Sequence, residues 1–220
     1  MRRDLEKTFR RVVWVGDLPK LPDDRPVVLY ANHHFFHDGY LLWWLSRWLG
    51  RPPLIWMAER DRFPFFGPAG ALSFPADDAR ARLRTLRATA RLLEREPERI
   101  LLYFPEGTLS PPDAGVQPWL PDVFARLDRI LPPHAWWPVA LHVTWWGEDR
   151  PTALLTGGPL HDEATGRERE QLTALLRTLR ATDPDSDHHL LLDGTRSPAE
   201  RWDFRALTPF FDDPASRAAD

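Results

Sequence analysis

Two short segments carry side chains whose types and spacing could do chemistry. The first, residues 31–40, reads ANHHFFHDGY and holds three histidines and an aspartate within six positions. His33 precedes Asp38 by five residues, so the two side chains can meet only if His33 lies in a turn before a helix that begins near Asp38. A carboxylate bonded to one imidazole nitrogen fixes the tautomer and leaves the other nitrogen as a base. The sequence has no G-x-S-x-G turn and no cysteine, so we expect the pair to activate a hydroxyl group of a substrate.

The same segment also permits a metal site. His33 and His37 are four residues apart, as are His34 and Asp38, and residues with this spacing share one face of a helix. Imidazole and carboxylate groups can hold zinc or iron, so a cluster of His33, His37 and Asp38 would indicate a metal-dependent hydrolase. A third interpretation is that the histidines have local partners and only stabilise the turn.

The second segment is Phe104-Pro105-Glu106-Gly107-Thr108, directly after the apolar run ILLY. Proline restricts the chain where it leaves a buried strand, and glycine lets a ligand approach the backbone closely. Glu106 then lies at a strand end, where its carboxylate can accept hydrogen bonds from a polyol or orient a base. Alone, the segment predicts only a turn.

Elements that could position these segments alternate along the chain. Apolar runs predict strands at 26–31, 54–58, 100–104, 137–145 and 152–156. Amphipathic patterns predict helices at 38–49, from Asp77 or Asp78 to Pro97, at 120–131 and at 163–180. The alternation predicts an α/β fold with a mostly parallel central sheet flanked by helices. Both chemical segments follow predicted strands, where α/β proteins place their sites.

The two ends of the chain are predicted to differ. Residues 1–16 are expected to form a basic amphipathic helix at the start of a domain over 1–182, suited to packing on that domain or to lying on an anionic membrane. Residues 183–220 are expected to be an irregular tail, with the segment WDFRALTPFF (202–211) docked back on the domain.

Composition limits the partners. The net charge of −3 gives no field to attract nucleic acid, and the lack of cysteine excludes disulfides and thiolate chemistry. The eleven tryptophans and twelve phenylalanines either fill the core or face lipid or a hydrophobic ligand. Because no apolar run is long enough to span a bilayer, we expect a cytoplasmic protein that is peripheral on the inner face of the cell membrane. The sequence does not indicate an oligomeric state.

Taken together, the two segments resemble a known family. N-H-x-x-x-x-D after one strand and F-P-E-G-T after a later strand resemble the lysophospholipid/glycerolipid acyltransferases, the PlsC-like enzymes, which include the 1-acyl-glycerol-3-phosphate acyltransferases of phospholipid synthesis. The run WPVA (137–140) and the segment 150–160 are similar to later family motifs, so the resemblance covers residues 26–180. It implies an α/β acyltransferase fold. It also implies transfer of a fatty acyl group to a hydroxyl from acyl-CoA or acyl-carrier protein as co-substrate, without a further cofactor or a metal.

The resemblance also implies roles for individual residues. His33 would be the general base that deprotonates the acceptor hydroxyl, and Asp38 would orient it and balance its charge. Asn32 would hold the turn, and the residues from Phe104 to Thr108 would line the acceptor site. Backbone N–H groups in the turn or at the helix N-terminus would stabilise the oxyanion of the tetrahedral intermediate.

The sequence departs from the family at the positions that bind phosphate. An arginine commonly follows F-P-E-G-T, where this chain has Leu109, and the family segment F-P-V-D-R reads FPADD here, which puts Asp78 in place of arginine. Losing an arginine–phosphate interaction removes about 1.5–3 kcal/mol, and an aspartate would repel the phosphate. We therefore expect a neutral acceptor such as a glycolipid, a carotenoid glycoside or another lipid alcohol. Four nearby cations could restore phosphate binding: Arg60, Arg62, Arg80 and Arg82. A lysophosphatidate acceptor and a non-catalytic lipid-binding protein remain the alternatives.

Overall fold

A mixed sheet forms the centre of the computed structural model, which describes residues 1–196. Its strands are β1 (Arg11–Val15), β2 (Val27–Ala31), β3 (Pro53–Met57), β4 (Ala71–Ser73), β5 (Ile100–Tyr103), β6 (Ala135–Thr144), β7 (Thr152–Gly157) and β8 (His188–Asp193). The α-helices are α1 (Arg2–Thr8), α2 (Asp38–Trp48), α3 (Ala79–Arg95), α4 (Val123–Asp128) and α5 (Glu168–Arg180). Short 3-10 turns occupy Arg60–Arg62, Pro64–Ala69 and Pro112–Ala114.

The strand order is β4-β3-β5-β2-β6-β7-β1-β8. The β6/β7 and β1/β8 pairs are antiparallel and the other neighbouring pairs are parallel. The predicted α/β class and mostly parallel sheet are therefore confirmed. Every residue of β2 is buried, because helices cover both faces of a parallel sheet.

Two apolar cores lie on opposite faces of the sheet. Side chains of α1 and α2 pack on one face, and side chains of α3, α4 and α5 pack on the other. Trp14, Trp136 and Trp137 are fully buried, so part of the aromatic content fills these cores. Phe36 and Phe65 are instead 66% and 67% exposed.

Most predicted elements are confirmed with small changes at their ends. Helix α2 begins at Asp38 as expected, and Asp78 caps α3 by accepting a hydrogen bond from the Ala81 N–H at 2.9 Å. Helices α4 and α5 are shorter than the predicted 120–131 and 163–180. Before α5, Gly166 adopts a left-handed φ of 72°, a conformation that favours glycine and interrupts a helix.

The predicted helix over residues 1–16 is wrong beyond Thr8, because the chain forms β1 from Arg11 to Val15. This strand pairs parallel with β7 and antiparallel with β8, and its three central residues are fully buried. Burial on both faces removes the alternation that identifies a strand, and the apolar residues happened to recur at helical spacing. Among residues 1–196, the longest and most apolar helices still fall short of crossing a bilayer.

The predicted irregular tail is also corrected in part. Residues 188–193 form β8 at the edge of the sheet, although polar residues flank its three leucines and mask the strand pattern. Strand β4 was not predicted, since three residues are too short to show a pattern. The expected docking of 202–211 lies outside the described residues.

Candidate active site

Neighbouring parallel strands bring the two chemical segments together. Strand β2 pairs with β5 so that Tyr30 lies opposite Tyr103, and parallel strands end at the same edge of a sheet. The turn after β2 and the turn after β5 are therefore adjacent. The ring of His33 stacks on the ring of Phe104, with centroids 4.3 Å apart and planes 24° apart.

His33 and Asp38 form the contact that their spacing predicted for a strand–turn–helix segment. Nδ1 of His33 lies 3.1 Å from Oδ2 of Asp38, which is the first residue of α2. The His33 side chain is 22% exposed and that of Asp38 only 1%. With the proton on Nδ1, the imidazole donates to the carboxylate and Nε2 keeps its lone pair. Within residues 1–196, nothing hydrogen-bonds to Nε2.

The same carboxylate oxygen shapes the turn. Oδ2 of Asp38 also accepts hydrogen bonds from the backbone N–H groups of His34 at 2.7 Å and Phe35 at 2.8 Å. Three donors on one oxygen fix the carboxylate relative to His33. The helix dipole adds a favourable field, because Asp38 lies at the N-terminus of α2.

Asn32 ties this turn to the sheet. Its side chain is buried, and its amide donates to the Leu141 carbonyl at 2.9 Å while its carbonyl accepts from the Leu141 N–H at 2.8 Å. These bonds continue the β2/β6 ladder through a side chain. The amide also lies 3.2 Å from Nδ1 of His34, whose Nε2 lies 3.1 Å from the Gly115 carbonyl. His34, which the sequence interpretation considered only as a possible metal ligand, therefore links the turn to the 112–117 loop.

Glu106 connects backbone segments. Oε1 accepts from the His33 N–H and Oε2 accepts from the Gln117 N–H, each at 2.9 Å. The Ser110 N–H donates to the His33 carbonyl at 3.0 Å. The segment after β5 therefore bonds to both the N–H and the carbonyl group of His33. Gln117 belongs to no recognised motif, so the sequence offered no reason to place it in the site.

The other residues of the second segment differ in their exposure to solvent. Pro105 is buried and Phe104 is half-buried under the His33 ring, whereas Gly107 and Thr108 are exposed. Gly107 has a left-handed φ of 72°, the conformation that requires glycine in this turn. Leu109 follows with 51% of its surface exposed.

The three predicted metal ligands do not form one cluster, because His37 is separate from the His33–Asp38 pair. Nε2 of His37 lies 3.4 Å from Oγ1 of Thr8 and 3.5 Å from Oδ2 of Asp4, so its imidazole faces α1. His33 instead contacts Asp38. No group of three or more His, Cys, Asp or Glu side chains in residues 1–196 is arranged to hold a metal ion.

Two of the four cations that could restore phosphate binding have partners in the structure. Arg82 donates to the carbonyls of Pro75 and Ala76, and Arg62 donates to Glu59 at 3.0 Å. Burial, and secondarily the charges of Arg180 and His34, lowers the pKa of His142, which follows the Asn32 partner in β6. A lowered pKa keeps this imidazole neutral near pH 7 and removes it as a phosphate-binding cation.

Comparisons with known proteins were made on sequence and on structure. A family model described as Acyltransferase matches residues 12–129, more than half of the 220-residue chain. No curated protein sequence matches. Among solved structures, the chain is similar to the 1-acyl-sn-glycerophosphate acyltransferase PlsC from Thermotoga maritima, with 20% identity, a TM-score of 0.49, and coverage of 78% of this chain and 70% of that chain. The family match includes both chemical segments and confirms the resemblance found in the sequence: the chain belongs to the acyltransferase family.

Proposed function

We propose that this chain is an O-acyltransferase that moves a fatty acyl group from acyl-CoA or acyl-carrier protein to a hydroxyl of a lipid acceptor. The observation that carries this proposal is the contact between His33 Nδ1 and Asp38 Oδ2 at 3.1 Å, next to the turn after β5. Family membership supports the acyl-transfer class. The partly exposed imidazole supports a base that meets its substrate from solvent or lipid.

The proposed reaction is direct transfer without an acyl-enzyme. Nε2 of His33 takes the proton of the acceptor hydroxyl while the hydroxyl oxygen attacks the thioester carbonyl carbon. The resulting oxyanion accepts hydrogen bonds from backbone N–H groups of the turn or of the α2 N-terminus. The carbon–sulfur bond then breaks, the ester is released, and the proton on Nε2 neutralises the departing thiolate. Asp38 stabilises the imidazolium throughout.

Two residues, Asp78 and Leu109, support a neutral acceptor over lysophosphatidate. The Asp78 carboxylate stands where the family has arginine and caps α3, so it presents negative charge at that helix end. Leu109 occupies the other cationic position with an exposed apolar side chain. Arg62 and Arg82, two of the four possible substitutes, are engaged with Glu59 and with backbone carbonyls. The preferred acceptor class is therefore a lipid alcohol without a phosphate, such as a glycolipid.

The test is a transfer assay with defined acceptors. Purified protein receives palmitoyl-CoA together with either monoacylglycerol, a glucosylated lipid or lysophosphatidate, and new esters are measured by mass spectrometry. We expect an ester on a neutral acceptor, formed faster than any ester on lysophosphatidate. His189 is an exposed histidine of β8, so His189→Ala serves as the matched control for His33→Ala.

The outcomes separate the parts of the proposal. A faster reaction with lysophosphatidate would refute the neutral acceptor and keep the acyl transfer. Free fatty acid without any ester would indicate hydrolysis and refute the transfer. Lipid binding with no turnover of any acceptor would favour the non-catalytic lipid-binding protein.

A further inference from the structure

The apolar face of the basic N-terminal helix α1 packs inside the protein. Leu5 and Phe9 are fully buried in the core that α1 shares with α2, so these residues are not available to a membrane. The basic residues Arg3 and Lys7 remain exposed, and neither forms an ion pair with another residue in 1–196. Any membrane contact at this end must therefore use apolar groups from other elements.

A continuous row of aromatic rings lies next to α1 and supplies such groups. We call it the aromatic ridge, and its members in spatial order are Phe36, Tyr40, Phe66, Phe65 and Phe63. Consecutive ring centroids are separated by 6.1, 5.7, 4.6 and 5.9 Å. Phe36 and Phe65 are about two-thirds exposed, at 66% and 67%. Exposing two phenylalanines on one contiguous surface costs solvation free energy unless something covers them.

Cations border this ridge: Arg3 and Lys7 are exposed, and Arg62 is paired with Glu59. Arg62 places its guanidinium 6.0 Å from the Phe63 ring centroid. A groove of about 630 Å³ separates the ridge from α1, and its walls include Arg3, Asp4, Lys7, Tyr40, Trp43, Phe65 and Phe66. Rings that include tryptophan and tyrosine, beside exposed arginine and lysine, match the composition that proteins place at an anionic bilayer surface.

The ridge also adjoins the candidate site. Phe36 lies in the same turn as His33, and Tyr40 lies in the first turn of the helix that begins at Asp38. A bilayer in contact with this ridge would therefore lie next to the site that receives a lipid hydroxyl. The exposed ring of Trp145 is not part of the ridge: it follows β6, on the far side of β2 from β3 and β4.

We propose that the aromatic ridge docks on the surface of a bilayer that contains anionic lipid, with Phe36 and Phe65 inserted among the headgroups and Arg3 and Lys7 facing the lipid charges. The proposal rests on the proposed function in one respect, namely that the acceptor is a membrane lipid. It assigns the membrane contact to the α2 N-terminus and the 3-10 turns over Pro64–Ala69, with α1 contributing charge only.

The test measures co-sedimentation of the full chain with vesicles of phosphatidylcholine alone or mixed with phosphatidylglycerol. The double variant Phe36→Ala/Phe65→Ala should bind the mixed vesicles about tenfold more weakly than wild type, since both inserted rings are lost. Arg3→Gln/Lys7→Gln should also weaken binding, and added salt should reduce the difference from wild type because it screens the charges. The matched controls are Trp145→Ala, which removes a 62% exposed ring, and Arg84→Gln/Arg91→Gln, which removes two exposed cations of α3 on the opposite face of the sheet. Both should bind like wild type.

Equal binding of the ridge variant and wild type would overturn the docking surface, as would equally weak binding of Trp145→Ala. Transfer to a short-chain, water-soluble alcohol is measured in parallel. Phe65→Ala alone, a change outside the turn that carries His33, should weaken vesicle binding and retain this transfer, which shows that the chain is folded and that only membrane contact is lost. Ridge-dependent vesicle binding with no transfer by wild type would refute the proposed function and leave the docking surface standing. Transfer by wild type without ridge-dependent vesicle binding would refute the docking surface and leave the proposed function standing.

Discussion

Replacing Asp38 by asparagine removes one charge and leaves the shape of the turn. Oδ2 of Asp38 accepts from the backbone N–H groups of His34 and Phe35, and an asparagine carbonyl can accept the same two bonds. A hydrogen bond to a charged acceptor contributes about 1 kcal/mol more than one to a neutral acceptor, so two such bonds predict a loss of about 2 kcal/mol in the free energy of unfolding. Asp38→Asn should therefore fold, with a lower Tm.

The effect on turnover should be much larger. Once His33 has taken a proton, its imidazolium lies 3.1 Å from the carboxylate oxygen. Two unit charges at that distance attract by about 5 kcal/mol at an effective dielectric constant of about 20. Losing this attraction in the transition state predicts a fall in kcat of between about 10³ and 10⁴, similar to the corresponding change in a serine-protease triad.

The assay is kcat for palmitoyl transfer to the best acceptor, together with a thermal melt of each variant. Asp4→Asn is the matched control. Asp4 lies on α1, on the same face of the sheet as α2, and its carboxylate is 53% exposed and faces His37. We expect Asp4→Asn to keep wild-type turnover. A folded Asp38→Asn variant within about tenfold of wild type would refute the reasoning, since the charge would then stabilise no transition state.

Three further predictions concern Glu106, Leu109 and His134. Glu106→Gln leaves only one side-chain oxygen to accept hydrogen bonds from the N–H groups of His33 and Gln117. We expect kcat to fall by about tenfold to a hundredfold while KM for the lipid acceptor changes little. A rise in KM alone would instead show that Glu106 binds the lipid acceptor directly. Leu109→Arg should raise kcat/KM for lysophosphatidate relative to the neutral acceptor, and an unchanged ratio would show that this position does not face the acceptor headgroup. Burial lowers the pKa of His134 below its ordinary 6.5, so its contribution to stability is complete above that pH and is lost as the pH falls. His134→Asn should therefore lose less stability than wild type in denaturant titrations between about pH 7 and pH 5, and parallel losses would contradict the assignment.

Part of the candidate site followed from the sequence because its cues are local. Asn32 and Gly39 flank a segment between an apolar run and an amphipathic one, which predicted the turn that joins His33 to Asp38. The parallel sheet then predicted that the turn after β5 would lie nearby, as the His33–Phe104 stack shows. The end of β2 and the start of α2 are set by neighbouring residues, and both were predicted correctly.

Contacts between distant loops could not be predicted in this way. Gln117 reaches Glu106 through its backbone N–H, which every residue but proline possesses, so its side chain gives no signal. His34 was recognised as a possible ligand, but its bond to the Gly115 carbonyl depends on how the 112–117 loop folds. Strand β1 was mistaken for helix because strands buried on both faces and amphipathic helices both present closely spaced apolar residues.

The most direct test of the central claim is the rate of ester formation by His33→Ala relative to His189→Ala, at saturating palmitoyl-CoA and acceptor. A general base contributes a factor of about 10² to 10⁴, so His33→Ala should lose at least about a hundredfold in kcat with an unchanged thermal melt, while His189→Ala stays at the wild-type rate. If His33→Ala formed ester at a rate close to that of wild type, His33 would not be the base, and the mechanism built on its contact with Asp38 would be wrong.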